Sequence, residues 1–170
     1  MRGSRGFSLA EILVTLGVIG VLTAAALPSF ADFVRAVRLN SKMGELTSDI
    51  ALARSEAVKR NSRVLLCARN TPTGVACTAA PTAAAWMNGW LVCYDADGDG
   101  ACDATTAALP NPIKRHDALV APIALAGPTA TIIFYPIGSS SGVSNFTMTA
   151  GTKTQTANVA PSGSITKSSS

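Results

Sequence analysis

The chain of 170 residues is poor in charge: Asp, Glu, Lys and Arg fill only 14% of positions, about half of the roughly 25% usual for soluble domains. With a mean hydropathy of +0.31, that scarcity excludes a disordered or highly charged tail protein. The signatures of common catalysts are missing too. There is no G-x-S-x-G, no phosphate-binding loop, no dinucleotide glycine fingerprint and no Cys/His pair with workable roles. The one histidine, His116, stands between Lys114, Arg115 and Asp117 and reads as a surface residue in a polar loop. No internal repeat is present. The sequence predicts that the protein is not an enzyme, and a secreted enzyme with a cleaved leader is the weakest of the function classes considered.

Where charge does occur, its placement is uneven. Residues 1–27 carry net +1, residues 28–63 carry +3, and the remaining residues hold five charges of each sign. A general polyanion binder needs its cations on the folded body, and here the body is neutral. The length supports one core-bearing domain plus an accessory segment.

The accessory segment is at the N-terminus. Phe7 to Leu27, FSLAEILVTLGVIGVLTAAAL, is a 21-residue run with one charge. As a helix it spans roughly 30 Å, the hydrocarbon thickness of a bilayer. Arg2 and Arg5 precede it, which keeps the short N-terminal piece cytoplasmic by the positive-inside rule. A secretory signal peptide, with Ala24-Ala25-Ala26 as its cleavage site, and an ordinary signal anchor are two readings of such a run. Neither explains Glu11, because a carboxylate within a membrane helix costs on the order of 2–3 kcal/mol and calls for a partner.

A third reading does. Gly6-Phe7-Ser8-Leu9-Ala10-Glu11 resembles the prepilin processing motif of type IV pilins and type II secretion pseudopilins. The resemblance implies cleavage by the prepilin peptidase after Gly6 and N-methylation of Phe7. It further implies that Glu11 pairs with the N-terminal amine of a neighbouring subunit during filament assembly, the cation that a carboxylate in lipid requires. Pro28 and Phe30, in Leu-Pro-Ser-Phe, continue the pilin pattern. Ala10 departs from it, since a large aliphatic residue is more usual there.

Beyond Pro28 the period stays helical. Leu39, Met43, Leu46, Ile50, Ala53 and Ala57 recur every three or four residues, an amphipathic stripe. Arg35, Arg38, Lys42, Arg54, Lys59 and Arg60 fall largely off it and read as a solvated face, with attraction to anionic inner-membrane lipid as the functional alternative. One helix over about 7–62 is predicted, kinkable at Pro28. After residue 63 short β-like runs follow at 64–68, 90–94, 130–135, 143–149 and 155–159, between Gly, Pro, Ser and Asn clusters. The fold class is therefore α+β: a long N-terminal helix packed on an antiparallel sheet or small β-sandwich head. The expected organisation is a leader over 1–6, a membrane half-helix over 7–27, an amphipathic half-helix over 28–62 and a head over 63–170. Residues 71–85 read as a loop and 166–170 as a frayed end.

The block Trp86-Met87-Asn88-Gly89-Trp90-Leu91-Val92, followed by Tyr94-Asp95, resembles the W-x-x-G-W-hydrophobic block of the GspH/FimT family of minor pilins and pseudopilins. The two tryptophans themselves read as core packing rather than a ligand site.

Cys67, Cys77, Cys93 and Cys102 form an even set in a head expected to face the periplasm, which favours disulfides. Of three possible pairings the local one is expected, Cys67–Cys77 with Cys93–Cys102. Zinc is the rival, but nine and eight intervening residues are unlike the two to four of zinc knuckles. Between the second pair, Asp95, Asp97, Asp99 and Asp103 with Gly100 resemble the start of an EF-hand calcium loop. The twelfth position is Thr106 rather than a bidentate glutamate, so an acidic hairpin turn is preferred over calcium, and no cofactor is expected.

The resemblance implies a structural subunit that helps to initiate or cap a filament in type II secretion or type IV pilus assembly. Its partners would be other minor pilins or pseudopilins, the prepilin peptidase and inner-membrane lipid. The alternative is a DNA-binding subunit for DNA uptake. The stretch aligned with the basic Gly-Arg-x-Arg-like segment of such proteins is Gly163-Ser164-Ile165-Thr166-Lys167, which lacks both arginines. Lys153 and Lys167 make a thin patch, and phosphate contacts need clustered cations.

Overall fold

The computed structural model describes residues 8–105 and 110–169, the side chains of 24–29 excepted. One helix, α1 (Leu9–Arg60), runs for 52 residues and continues through Pro28 without a break. Ser8 caps its start: its Oγ accepts from the Glu11 amide, while the Glu11 carboxylate reaches back to the Ser8 amide at 3.3 Å. This reciprocal box satisfies two donors that the first turn leaves open. At the other end Asn61 adopts a left-handed conformation (φ 49°), one of the few non-glycine residues that does so at low cost.

Among the described residues the head contains eight strands: β1 (Val64–Ala68), β2 (Trp90–Tyr94), β3 (Lys114–Arg115), β4 (Ile123–Ala126), β5 (Ile132–Phe134), β6 (Ser144–Ala150), β7 (Lys153–Val159) and β8 (Ile165–Ser169). They form two four-stranded sheets, β3-β2-β1-β5 and β4-β6-β7-β8, antiparallel throughout. A 3₁₀ turn over Ala83–Asn88 leads into β2, at the end of the stretch expected to be loop. The last residues are not frayed: β8 pairs with β7 from Val159↔Ile165 to Gln155↔Ser169. Ser170 lies outside the described residues.

The helix stripe is the floor of the core. Leu39, Met43, Leu46, Ile50, Ala53 and Ala57 are all buried and share one cluster with Val64, Leu66, Trp90 and Val92 of the first sheet and Phe146, Met148, Ala157 and Val159 of the second. Strands β1 and β2 are buried along their whole length. Val64, Leu66, Trp90 and Val92 belong to the helix-side core. The alternate positions Leu65, Cys67, Leu91 and Cys93 face the opposite way, as the two-residue period of a strand requires.

The N-terminal half of α1 has no such cover. Leu9, Ile12, Leu13, Val14, Leu16, Val18, Ile19, Val21 and Leu22 are exposed, as are Phe30 and Phe33 beyond. Among the described residues no helix is long and apolar enough to cross a membrane. The predicted span 7–27 runs past them at Phe7 and at the side chains of 24–27.

Candidate assembly site

Of the three residues of the processing motif, Gly6 and Phe7 lie outside the described residues, as do Arg2 and Arg5. Glu11 is described. It occupies the third position of α1, exposed, in the capping box with Ser8. Around it the helix surface is apolar on every side from Leu9 to Leu22. A helix hydrophobic all round needs lipid or other helices against it, and Glu11 is the one acidic group on that surface.

The stem is fastened to the head by three helix carboxylates, and several of their partners, Lys42, Lys59, Arg60 and His116, are residues read from the sequence as solvated. Asp49 is fully buried: its Oδ2 accepts the Trp90 indole N–H at 2.9 Å, and its Oδ1 lies 2.5 Å from the Lys114 ammonium. One turn earlier, Glu45 takes the Lys42 ammonium at 2.7 Å and the His116 Nε2 at 2.6 Å. His116 is thus not a free surface residue, because its side chain is only 14% exposed. Its ring stacks on Trp90 at 4.0 Å between centroids, an attraction between nonadjacent residues that local polarity conceals. Burial pushes the Glu45 carboxyl up, but the hydrogen bonds and charges of Lys42 and His116 outweigh it and leave the group below its ordinary range.

A second fastening lies two turns on from Asp49. The Tyr94 hydroxyl donates to Glu56 at 2.6 Å, and Arg60 and Lys59 approach the same carboxylate at 3.0 and 3.5 Å. The Tyr94 bond, against an opposing push from burial, and those two cations hold Glu56 below its usual range. Burial and the Glu56 bond together push the Tyr94 phenol up to about 12, so it remains a donor. Arg54 is also engaged rather than solvated: it donates from Nε to Gly138 O at 2.8 Å and from its terminal nitrogen to Ser162 O at 3.0 Å. That contact requires Gly163 (φ +74°), where a Cβ would fall 2.2 Å from Gly138 O. The Gly163–Lys167 stretch therefore has a structural account as a turn entering β8. Lys153 and Lys167 line one open groove of about 430 Å³ beside Leu39 and Asn40 of α1.

The tryptophans are core residues. Trp86 meets Phe146 edge-on at 4.8 Å and donates to Pro128 O at 2.8 Å. A residue that sequence reasoning missed is Arg69, fully buried, which donates to Gly74 O at 2.8 Å and His116 O at 3.0 Å.

On the far face of the first sheet, Cys67 joins Cys77 and Cys93 joins Cys102. In the acidic loop Asp95 is buried, with the Arg63 guanidinium 2.8 Å from its Oδ2 at ion-pair distance. Asp97, Asp99 and Asp103 accept the amides of Asp99, Ala101 and Ala96. These turn-forming bonds account for the alternating acidic pattern locally. The oxygens of Asp95, Asp97 and Asp99 do come within 4.8 Å of one another; Thr106, at the twelfth position of the loop, lies outside the described residues.

The profile of the family described as "Type II transport protein GspH" matches residues 43–164. The chain belongs to the GspH family. A profile for the prokaryotic N-terminal methylation motif matches residues 1–27, the segment carrying Gly6, Phe7 and Glu11. Two curated relatives come from Moraxella bovis, the fimbrial protein Q and the type IV major alpha-pilin. Each is 33% identical over 48 residues, 28% of this chain and 31% and 30% of the relative. The chain thus spans about a third of the length of these relatives. The fold is that of the type IV minor pilin FimU of Pseudomonas aeruginosa PAO1. Its two crystal forms superpose with TM-scores of 0.51 and 0.54 at 15% and 16% identity, covering 76% and 80% of this chain and 91% and 92% of FimU. This GspH-family protein has the pilin fold and belongs with structural rather than catalytic proteins. The methylation-motif match coincides with the segment whose sequence resembles a prepilin leader and its processing site.

Proposed function

We propose that the protein is a minor subunit that helps to initiate or cap a filament of the type II secretion or type IV pilus kind. The observation that carries this reading is the stem: the exposed N-terminal part of α1, apolar on all sides with one carboxylate near its start, in one continuous helix with the part packed into the head. In this reading residues 1–6 are the leader and residues 7–27 cross the inner membrane once. Residues 28–62 join the span to a periplasmic head over 63–170. Cleavage after Gly6 frees the α-amine of Phe7, which is then methylated, and that amine is the cation that Glu11 of a neighbouring subunit accepts. Pairing in an apolar setting favours subunit addition because either charge alone would be costly there. A DNA contact forms no part of the proposal, since Lys153 and Lys167 alone supply few phosphate partners.

Intact mass of the membrane-extracted protein tests the processing: the chain should begin at N-methyl Phe7, with 164 residues and a formal side-chain charge of +2. A chain starting at Leu27 would establish an ordinary signal peptide instead. Glu11→Ala should insert and be processed normally yet fail to enter filaments; full incorporation would remove the role assigned to Glu11. An initiator or cap occupies one end, so quantitative mass spectrometry of sheared filaments should find it far below the major subunit. Equimolar abundance would refute that role.

A further inference from the structure

The two disulfides are not separate staples. All four sulfurs, of Cys67, Cys77, Cys93 and Cys102, lie within 4.8 Å of one another, and the Sγ atoms of Cys77 and Cys102 are 3.4 Å apart. The sheet brings this about. Cys67 pairs across the ladder with Leu91, and Cys93 with Leu65, so the two cysteines are diagonal neighbours on one face of β1 and β2. Each then reaches outward to a loop cysteine. Zinc knuckles gather their ligands from short stretches of chain, whereas here two adjacent strands and two loops supply them.

A tetrahedral zinc–thiolate centre has Zn–S bonds of about 2.3 Å, which sets its sulfurs about 3.8 Å apart. No two of the four sulfurs lie more than 4.8 Å apart, so reaching that spacing once the two S–S bonds open requires only short side-chain movements. Cys67 and Cys93 are buried, while Cys77 and Cys102 line an open groove of about 470 Å³, a route by which a metal ion can arrive.

We propose that the four cysteines form a conditional tetrathiolate site: when both disulfides are reduced, they bind one zinc ion. The metal then ties together the two loops that the disulfides tie when oxidised. The chemistry balances with a phosphine or dithiol reductant. Each disulfide takes up two electrons and two protons to give two thiols, and the reductant leaves as a phosphine oxide or a cyclic disulfide. Zinc binding releases the four thiol protons and forms four Zn–S bonds. A head not yet oxidised would in this way hold the same loop arrangement until an oxidant displaces the metal.

The test uses the full-length protein in detergent, reduced with a water-soluble phosphine and freed of it without oxygen, then titrated with Co²⁺ as the optical probe. One Co²⁺ per chain should bind, with the strong visible bands of a tetrahedral ion and sulfur-to-metal charge transfer in the near ultraviolet. Zn²⁺ should displace it, and near-ultraviolet circular dichroism should report the tryptophan environment of the oxidised protein. The variant Cys77→Ala/Cys102→Ala, treated alike, should lose the tetrahedral spectrum. The proposal fails if the reduced protein stays folded without binding Co²⁺, or gives only the weak spectrum of an octahedral ion. It fails equally if the reduced protein unfolds and zinc does not restore it, or if the unreduced protein gives the same spectrum.

Discussion

Replacing Asp49 isolates what holds the stem to the head. In Asp49→Ala the Trp90 indole N–H, fully buried, loses its acceptor. An orphaned buried donor costs about 1–3 kcal/mol. The Lys114 ammonium also loses its carboxylate, but that side chain is 45% exposed and regains water, so this part is worth at most about 1 kcal/mol. The total is about 1–4 kcal/mol, which lowers Tm by roughly 3–12 °C at about 3 °C per kcal/mol for a domain of this size. Asp49→Asn keeps an amide oxygen for the indole but turns its NH2 toward the Lys114 ammonium, which at 45% exposure can swing out to water, so it should melt within about 3 °C of the parent. Melting curves followed by near-ultraviolet circular dichroism in detergent, at low and high salt, separate the two contributions. Salt should shrink the Lys114 part and leave the indole part unchanged. Equal losses for Ala and Asn, or an alanine variant within about 2 °C of the parent, would refute the reasoning.

Three further outcomes can be checked on the same preparation. Glu45 and Glu56 are held below their ordinary range, so their contribution is full above the unfolded carboxylate pKa and is lost as the pH falls through the folded one. Tm should be level from pH 7 to about 5 and decline below about pH 4.5, with a second decline above about pH 10, where the tyrosine of the unfolded chain ionises before Tyr94 does. A monotonic change across pH 5–9 would contradict this. Reducing both disulfides in the presence of a chelator should cost about 2.7 kcal/mol for each loop, from sequence separations of 10 and 9, seen as a lower denaturant midpoint. Gly127→Ala should lose about 1–3 kcal/mol by overpacking, because its Cβ would lie 2.6 Å from the Trp86 ring; an unchanged midpoint would show that the indole can move aside.

The elements legible in the sequence are those whose own residues state their burial. The helix stripe from Leu39 to Ala57 has a 3.6-residue period, and all six positions are in the core. Strands β1 and β2 are apolar runs with clear flanks, and their bounds coincide with the expectation. The strands not foreseen carry no such statement. β3 is two exposed basic residues, Lys114 and Arg115, held by pairing with β2. β8 is an edge of Thr, Lys and Ser with little buried on either face. β4 alternates buried and exposed, but its outward residues are Ala124 and Ala126, so hydropathy shows no alternation. The charged junction was hidden for a different reason. Asp49, Arg54 and His116 find their partners 41 to 108 residues away, and no local window reports such a pairing. The N-terminal methylation motif was legible because its signature is a short contiguous string.

The fastenings at Glu45, Asp49 and Glu56 lie on one helix, over an axial distance of roughly 16 Å, and each engages a different residue of the first sheet or the segment after it. A single contact would let the head swivel about the stem; three spread along the axis do not. The subunit is consequently a keyed shaft. Whatever azimuth the apolar stem takes among its neighbours is the azimuth at which the head is presented, and an axial pull on either part is transmitted to the other without slack.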